Sequence, residues 1–390
     1  MKKMSLFVAA AIAAAACSPL YNQTKSYDEA HFTALEQVMA HPTTPRKVKY
    51  VFTEASDLNI IGKAFKTADP YARIDTSVYK GFTALENRQC RASAGLAVMF
   101  STNATTISVE SGWGQPYQSW RTTGIGYRGY DLYIRNAEGE WIWAASGATN
   151  LNEKDGTNAV LISGMDGSTH ECLMYLPMYS ELKSCRIGVN EGAEIKAAEN
   201  PFRHKIVFHG SSYTQGISVS RSGMTYPLQF ERHTGLYVIP LGFGGNCKMQ
   251  DYFCDVICDI DADAYVFDAF SNPDHRMIEQ RLQPFIDRLI AAHPGKPLIF
   301  QQTIYREIRN FSVNENASEQ AKQDMASSIF DKLLKDPKYK DVYFIQTDAC
   351  EPDCHDYSVD GIHPDDHGYN LWSRSIEKPI LKILKKYGIK

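Results

Sequence analysis

Hydrophobic positions change their spacing once along the chain, near Asn200-Pro201. From about residue 46 to 198 they alternate with polar ones over short runs: Ile107 and Val109 interleave with Ser108 and Glu110, and Leu132 and Ile134 with Asp131, Tyr133 and Arg135. A period of two sends successive side chains to opposite faces, so these segments predict half-buried strands with the polar set turned to water. Turn-forming residues interrupt them at Gly112, Gly114, Gly124, Gly126, Gly129, Asn136, Gly139, Gly147, Asp155-Gly156 and Asp166-Gly167, and no long stretch has a helical period. The expectation for residues 46–200 is an antiparallel β-sandwich of jelly-roll-like kind.

Beyond residue 201 the apolar residues gather into runs at 205–208, 236–241, 264–267, 297–300 and 342–345. Such runs predict strands buried on both faces. Between them lie helical patterns, the clearest over 275–292, where Met277, Ile278, Leu282, Phe285, Ile286, Leu289 and Ile290 recur at steps of three and four, followed by 317–335 and 368–387. Strands alternating with helices predict a flavodoxin-like, doubly wound parallel sheet over 201–390, whose ligands bind in the loops outside the strand carboxyl ends.

The first residues modify this two-domain picture. Lys2 and Lys3 precede an apolar run from Leu6 to Ala16 that is too short to span a bilayer and ends in Ala14-Ala15-Ala16-Cys17. This resembles the lipobox of bacterial lipoproteins, which predicts a signal peptide over 1–16, lipidation of Cys17, and a polar tether over 17–45 standing the body off a membrane of the cell envelope. An ordinary secretory signal is the simpler alternative. The net charge of −4 comes without any block of like charges, which argues against a nucleic-acid partner. Export makes disulfides permissible among the remaining eight cysteines, with Cys350 and Cys354 the first pair to consider, and none of their spacings matches a CxxC zinc site.

Candidate chemistry sits where the parallel sheet would place it. His209-Gly210-Ser211-Ser212-Tyr213-Thr214-Gln215-Gly216 follows the first strand, putting Ser212 in a strand-to-loop turn. Thr214 occupies the second glycine position of a GxSxG elbow, which disfavours an ordinary α/β-hydrolase. A serine nucleophile needs a base, and the base needs a partner that fixes its tautomer. Asp360 and His363, three residues apart in Ser358-Val359-Asp360-Gly361-Ile362-His363-Pro364, supply both. An oxyanion needs rigid donors: Gly245, in Gly242-Phe243-Gly244-Gly245-Asn246, and the Asn272 side chain after the third strand are candidates beside the Ser212 amide. Each piece alone has a plain structural reading as a turn, a cap or a surface residue.

In order, Ser212, Gly245, Asn272 and Asp360–His363 resemble the four blocks of the SGNH (GDSL-like) hydrolases, and Gly129-Tyr130-Asp131-Leu132-Tyr133 resembles the Gly-x-Asp-Leu-Tyr signature of a subgroup with an N-terminal β-domain. Ser211 stands where the family's Gly-Asp-Ser has aspartate, and Ser271-Asn272-Pro273 departs from the Gly-x-Asn-Asp form. The resemblance implies a serine esterase working through an acyl-enzyme without metal or organic cofactor, acting on an acylated carbohydrate, with acetyl the expected acyl group. Other acyl esters, as for a lipase or thioesterase, and an inactive glycan-binding lipoprotein are the competing readings. Trp113, Trp120, Trp141 and Trp143 could stack on sugar rings, although the simpler expectation places them in the sandwich core.

Overall fold

Alternation builds the N-terminal half as expected. The computed structural model describes residues 48–116, 119–148, 157–352 and 355–390; the leader, Cys17, the tether and Cys354 lie outside them. Strands β1 (Tyr50–Glu54), β2 (Asn59–Ile61), β3 (Ala97–Thr102), β4 (Thr106–Pro116), β5 (Gly129–Arg135), β6 (Trp141–Ala148), β7 (Thr157–Ser163), β8 (His170–Tyr175), β9 (Ser180–Asn190) and β10 (Ile195–Ala197) form two antiparallel sheets. Their orders are β1-β9-β4-β7 and β10-β3-β8-β5-β6, with β2 added to β3. Ile107, Val109, Ile187 and Val189 of the first sheet meet Val98, Phe100, Tyr130, Leu132 and Met174 of the second in a closed core.

The polar set of β5 does not face water. Asp131 and Tyr133 are buried because that face of the sheet lies against the α/β half of the molecule. Among the described residues two helices also interrupt the β-rich region, α1 (Ala84–Arg91) and α2 (Gly124–Arg128). The first starts with a capping box, in which the Thr83 hydroxyl accepts from the Glu86 amide and the Glu86 carboxylate accepts from the Thr83 amide.

In the C-terminal half, β11 (Arg203–Gly210), β12 (Leu236–Gly242), β13 (Ala264–Asp268), β14 (Leu298–Gln301) and β15 (Val342–Ile345) form one parallel sheet ordered β12-β11-β13-β14-β15. Six helices join it: α3 (Ser212–Gln215), α4 (Tyr226–Thr234), α5 (Asp251–Cys258), α6 (His275–Ala292), α7 (Val313–Leu333) and α8 (Asp366–Leu384). Successive strand residues feed opposite layers. Val207, Phe267 and Phe300 pack with α5, α6 and α7, whereas Ile206, Phe208, Val266 and Ile299 pack with α4 and α8. The predicted helix at 275–292 is reproduced; that at 317–335 is α7, which starts earlier, and that at 368–387 is α8 extended by a 3-10 turn. The chain from Tyr50 to Lys390 packs as one compact unit.

The Gly129–Tyr133 signature joins the two halves. Asp131 accepts from Arg221 Nη1 at 2.9 Å, from the Gly223 amide at 2.8 Å and from Trp143 Nε1 at 3.0 Å. The Tyr133 hydroxyl accepts from Arg221 at 2.6 Å, Leu132 fills the sandwich core, and the Tyr130 hydroxyl pairs with Ser111 at 2.8 Å. Burial pushes the Asp131 carboxyl upward, and the Arg221 guanidinium pulls it back.

Candidate active site

Strand β11 ends at Gly210 and the chain turns at once into α3, with Ser211 as its cap: the Ser211 hydroxyl accepts from the Tyr213 amide at 3.1 Å and donates to Asp268 at 2.6 Å. Asp268, at the end of β13, is fully buried and also accepts from the Ser211 amide at 3.0 Å and from Thr214 and Ser271. A carboxylate is therefore present beside position 211 even though the residue there is serine. This cradle holds Ser212 at the first helical position, its side chain turned to the loops beyond the strand carboxyl ends.

The loop carrying Asp360 and His363 comes to meet it. Asp360 Oδ1 accepts from the amides of Ile362 at 3.0 Å and His363 at 2.7 Å, and Oδ2 lies 2.9 Å from His363 Nδ1. On the other side of the ring, Nε2 lies 3.1 Å from Ser212 Oγ. The carboxylate fixes the proton on Nδ1 and leaves the Nε2 lone pair facing the serine hydroxyl, a geometry within reach for general-base catalysis.

Several contacts pin that loop. The Val359 amide donates to the His363 carbonyl at 2.8 Å, the Ile308 amide donates to the Gly361 carbonyl at 2.8 Å, and Gly361 takes a φ of +81°. The Glu307 carboxylate accepts from the Ser358 amide at 2.9 Å, and the Tyr213 hydroxyl donates to the Ile362 carbonyl at 2.8 Å while accepting from Arg306 at 2.9 Å. Partial burial works against the Asp360 carboxylate, but donation from the His363 amide and ring outweighs it and holds the group at about 2. Burial draws the His363 imidazole below its ordinary value, Asp360 pulls it back, and Arg121 and Arg306 add to the lowering.

Three donors in the loops around the serine are unspent. A Cβ on Gly244 would lie 3.5 Å from that of Ser212, so the loop after β12 passes directly over the serine. The Gly244 amide is spent on Gln215 Oε1 at 2.9 Å, whereas the amide of Gly245, at φ +74°, has no acceptor among the described residues. Asn272 accepts from the Cys247 amide through Oδ1 at 3.1 Å, which leaves its NH2 group as the unspent end. The Ser212 amide is likewise unpaired among the described residues. Donors meant for a substrate oxygen must be left this way.

The site also contains groups from the β-domain that no sequence motif announced. Arg73, wholly buried, donates to the Gly242 carbonyl at 2.8 Å, and Gln89 of α1 holds the Gly244 carbonyl at 2.9 Å and the Asn246 side chain at 2.9 Å. Arg121, from the segment after β4, forms an ion pair with Asp360. The capping box at Thr83–Glu86 could have revealed the helix that bears Gln89. Arg73 and Arg121 carry no sequence signal.

None of the four N-terminal tryptophans is fully buried, unlike Trp372 in the core of the α/β half. Trp113 and Trp141 are partly buried at core margins, and Trp143 is half exposed, its ring nitrogen donating to Asp131 and its face lying 4.9 Å from the Arg221 guanidinium. Trp120 is 76% exposed. Cys90, Cys172, Cys185, Cys247, Cys254 and Cys258 are free thiols, and no cluster of three metal-ligating side chains occurs among the described residues.

Comparison with known proteins identifies both halves of the chain. Residues 203–382 match the model of the GDSL-like Lipase/Acylhydrolase family, and residues 48–195 match the GxDLY model, described as the N-terminus of Esterase_SGNH_hydro-type. A GDSL-like lipase from Bacteroides ovatus is 36% identical and superposes with a TM-score of 0.82 over 86% of this chain and 98% of its own. A family two carbohydrate esterase from Cellvibrio japonicus (12% identity, TM-score 0.55, 86% of this chain and 98% of that one) shares the fold. So does an acetyl xylan esterase from Butyrivibrio proteoclasticus (11% identity, TM-score 0.50, 86% and 99%). No curated protein matches the chain.

Proposed function

The chain belongs to the GDSL-like lipase/acylhydrolase family, and we propose that it is a serine esterase that removes O-acyl groups, acetyl foremost, from carbohydrate. The observation that carries the proposal is the continuous path from Asp360 through His363 to Ser212, with links of 2.9 and 3.1 Å. Ser212 Oγ attacks the ester carbonyl as His363 Nε2 takes its proton, and Asp360 stabilises the imidazolium. The amides of Ser212 and Gly245 and the Asn272 NH2 group receive the oxyanion. His363 then protonates the departing sugar oxygen, leaving an acyl-serine that water, activated by the same histidine, hydrolyses.

Carbohydrate is favoured as the carrier because two structures of the same fold are described as a carbohydrate esterase and an acetyl xylan esterase. A lipid on Cys17 would hold the enzyme at the cell envelope, where exported glycans are within reach; a mature protein with unmodified Cys17 by mass spectrometry would remove the anchor from the proposal. For the activity, acetate release from acetylated xylan, pectin and host glycans is compared with hydrolysis of p-nitrophenyl esters of increasing chain length. Acetate release with preference for the acetyl ester is expected. Preference for long acyl chains would instead support a lipase or thioesterase, and no turnover at all a glycan-binding protein.

A further inference from the structure

We propose that Arg121, which reaches the site from the N-terminal β-domain, is a positioning residue for the Asp360–His363 pair, so that this domain completes the catalytic centre. The inference rests on the triad assignment above, since it concerns how the triad acid is held.

Arg121 Nε pairs with Asp360 Oδ2, the same oxygen that faces His363 Nδ1, while Oδ1 is taken by two amides of the loop. Every acceptor direction of the carboxylate is thus filled, three from its own loop and one from the other domain. The pair is sheltered, with the Asp360 side chain 8% and the Arg121 side chain 33% exposed. The guanidinium is further held against the Trp120 ring, 4.3 Å from its centroid. An arginine placed only for surface stability has no reason to sit on a triad carboxylate, where its gain in water would be small. Here it locks the plane of the carboxylate and with it the direction of the imidazole.

The same contact sets the strength of the base. The charged and titratable groups around His363 are Asp360 on its own loop, Arg121 from the β-domain, Arg306 from the segment after β14, and Tyr213 of α3, whose ring lies 5.5 Å away. Arg306 is balanced by Glu319 at 2.7 Å and also binds Tyr213 and the Ser271 carbonyl. Arg121 has Asp360 as its counter-ion, so it weakens the hold of that carboxylate on a protonated His363. The β-domain thereby keeps the base neutral to lower pH.

The test measures kcat and KM for p-nitrophenyl acetate across pH in the full chain carrying Arg121→Gln, Arg121→Lys or Ser212→Ala. Arg121→Gln is expected to lower kcat about tenfold with KM within about twofold, because a misdirected triad slows the chemistry and not binding. It should also move the acid limb of kcat/KM up by about half a pH unit, since a cation near the imidazole is lost. Arg121→Lys should keep the wild-type limb. A wild-type profile for Arg121→Gln beside an inactive Ser212→Ala would overturn this inference alone. Equal loss of kcat in both Arg121 variants with the limb unmoved would also overturn it, as mere packing damage. Turnover by Ser212→Ala would overturn the triad assignment and this inference with it.

Discussion

Replacing Asp131 with alanine removes the carboxylate that joins the β-domain to the hydrolase domain, and the loss can be worked from its partners. Asp131 is 0% exposed and accepts from Arg221, the Gly223 amide and Trp143, at 2.9, 2.8 and 3.0 Å. Taking away one member of a buried ion pair costs about 3–5 kcal/mol, because the other charge is left without compensation. The Arg221 side chain keeps 18% exposure and a second acceptor in the Tyr133 hydroxyl. Water and the phenol can therefore take up part of its charge, which places the expected loss at the lower end, about 3 kcal/mol. Asp131→Asn keeps the shape and one acceptor and should cost less. Urea unfolding followed by tryptophan fluorescence measures both, and adding Arg221→Ala closes a double-mutant cycle with an expected coupling of about 2 kcal/mol. An alanine variant within about 0.5 kcal/mol of wild type, or strict additivity with Arg221→Ala, would mean that the Asp131–Arg221 pair does not hold the two halves together.

The remaining predictions concern the site. Only neutral His363 can accept a proton, and because burial holds its value below the ordinary 6.5, kcat/KM should stay on its plateau to below pH 6.5 and fall only under that, with Asp360, at about 2, ionised throughout; an inflection above 6.5 in the pH–rate profile would contradict this. Asn272→Ala should lower kcat by about 10²–10³ with little change in KM in steady-state assays, as expected for loss of one oxyanion donor. Gly361→Ala puts a Cβ at φ +81° and 3.2 Å from the Ile308 Cβ. It should cost about 1–2 kcal/mol in thermal unfolding and lower kcat by a larger factor than that cost suggests, because the strain falls between Asp360 and His363.

The five parallel strands were legible because each is buried on both faces, which leaves an uninterrupted apolar run such as Ala264-Tyr265-Val266-Phe267. The proposed nucleophile and base were legible because they sit in the turn that follows β11 and in the loop before α8, in family order. What was hidden depended on contacts between the two halves. Asp131 and Tyr133 alternate with Leu132 as an exposed polar set would, yet the neighbouring domain buries them. Arg121 meets Asp360 across 239 positions, and Gln89 meets Gly244 across 155, distances over which local patterns carry no information. Helices α4 and α5 span only nine and eight residues, too few turns for a period to stand out from the flanking apolar strands. Of the four N-terminal tryptophans only Trp113 packs against the sandwich core as bulk suggests, and all four rings carry a guanidinium that no local pattern announces.

The central claim is that Ser212 is the acyl-accepting nucleophile activated by His363. The most direct measurement treats the folded protein with a fluorophosphonate and locates the adduct by peptide mass spectrometry, in the wild type and in His363→Ala. The account predicts one adduct, on Ser212, with loss of esterase activity in proportion to labelling and strongly slowed labelling in His363→Ala. An adduct on another residue, or full activity with Ser212 modified, would contradict it.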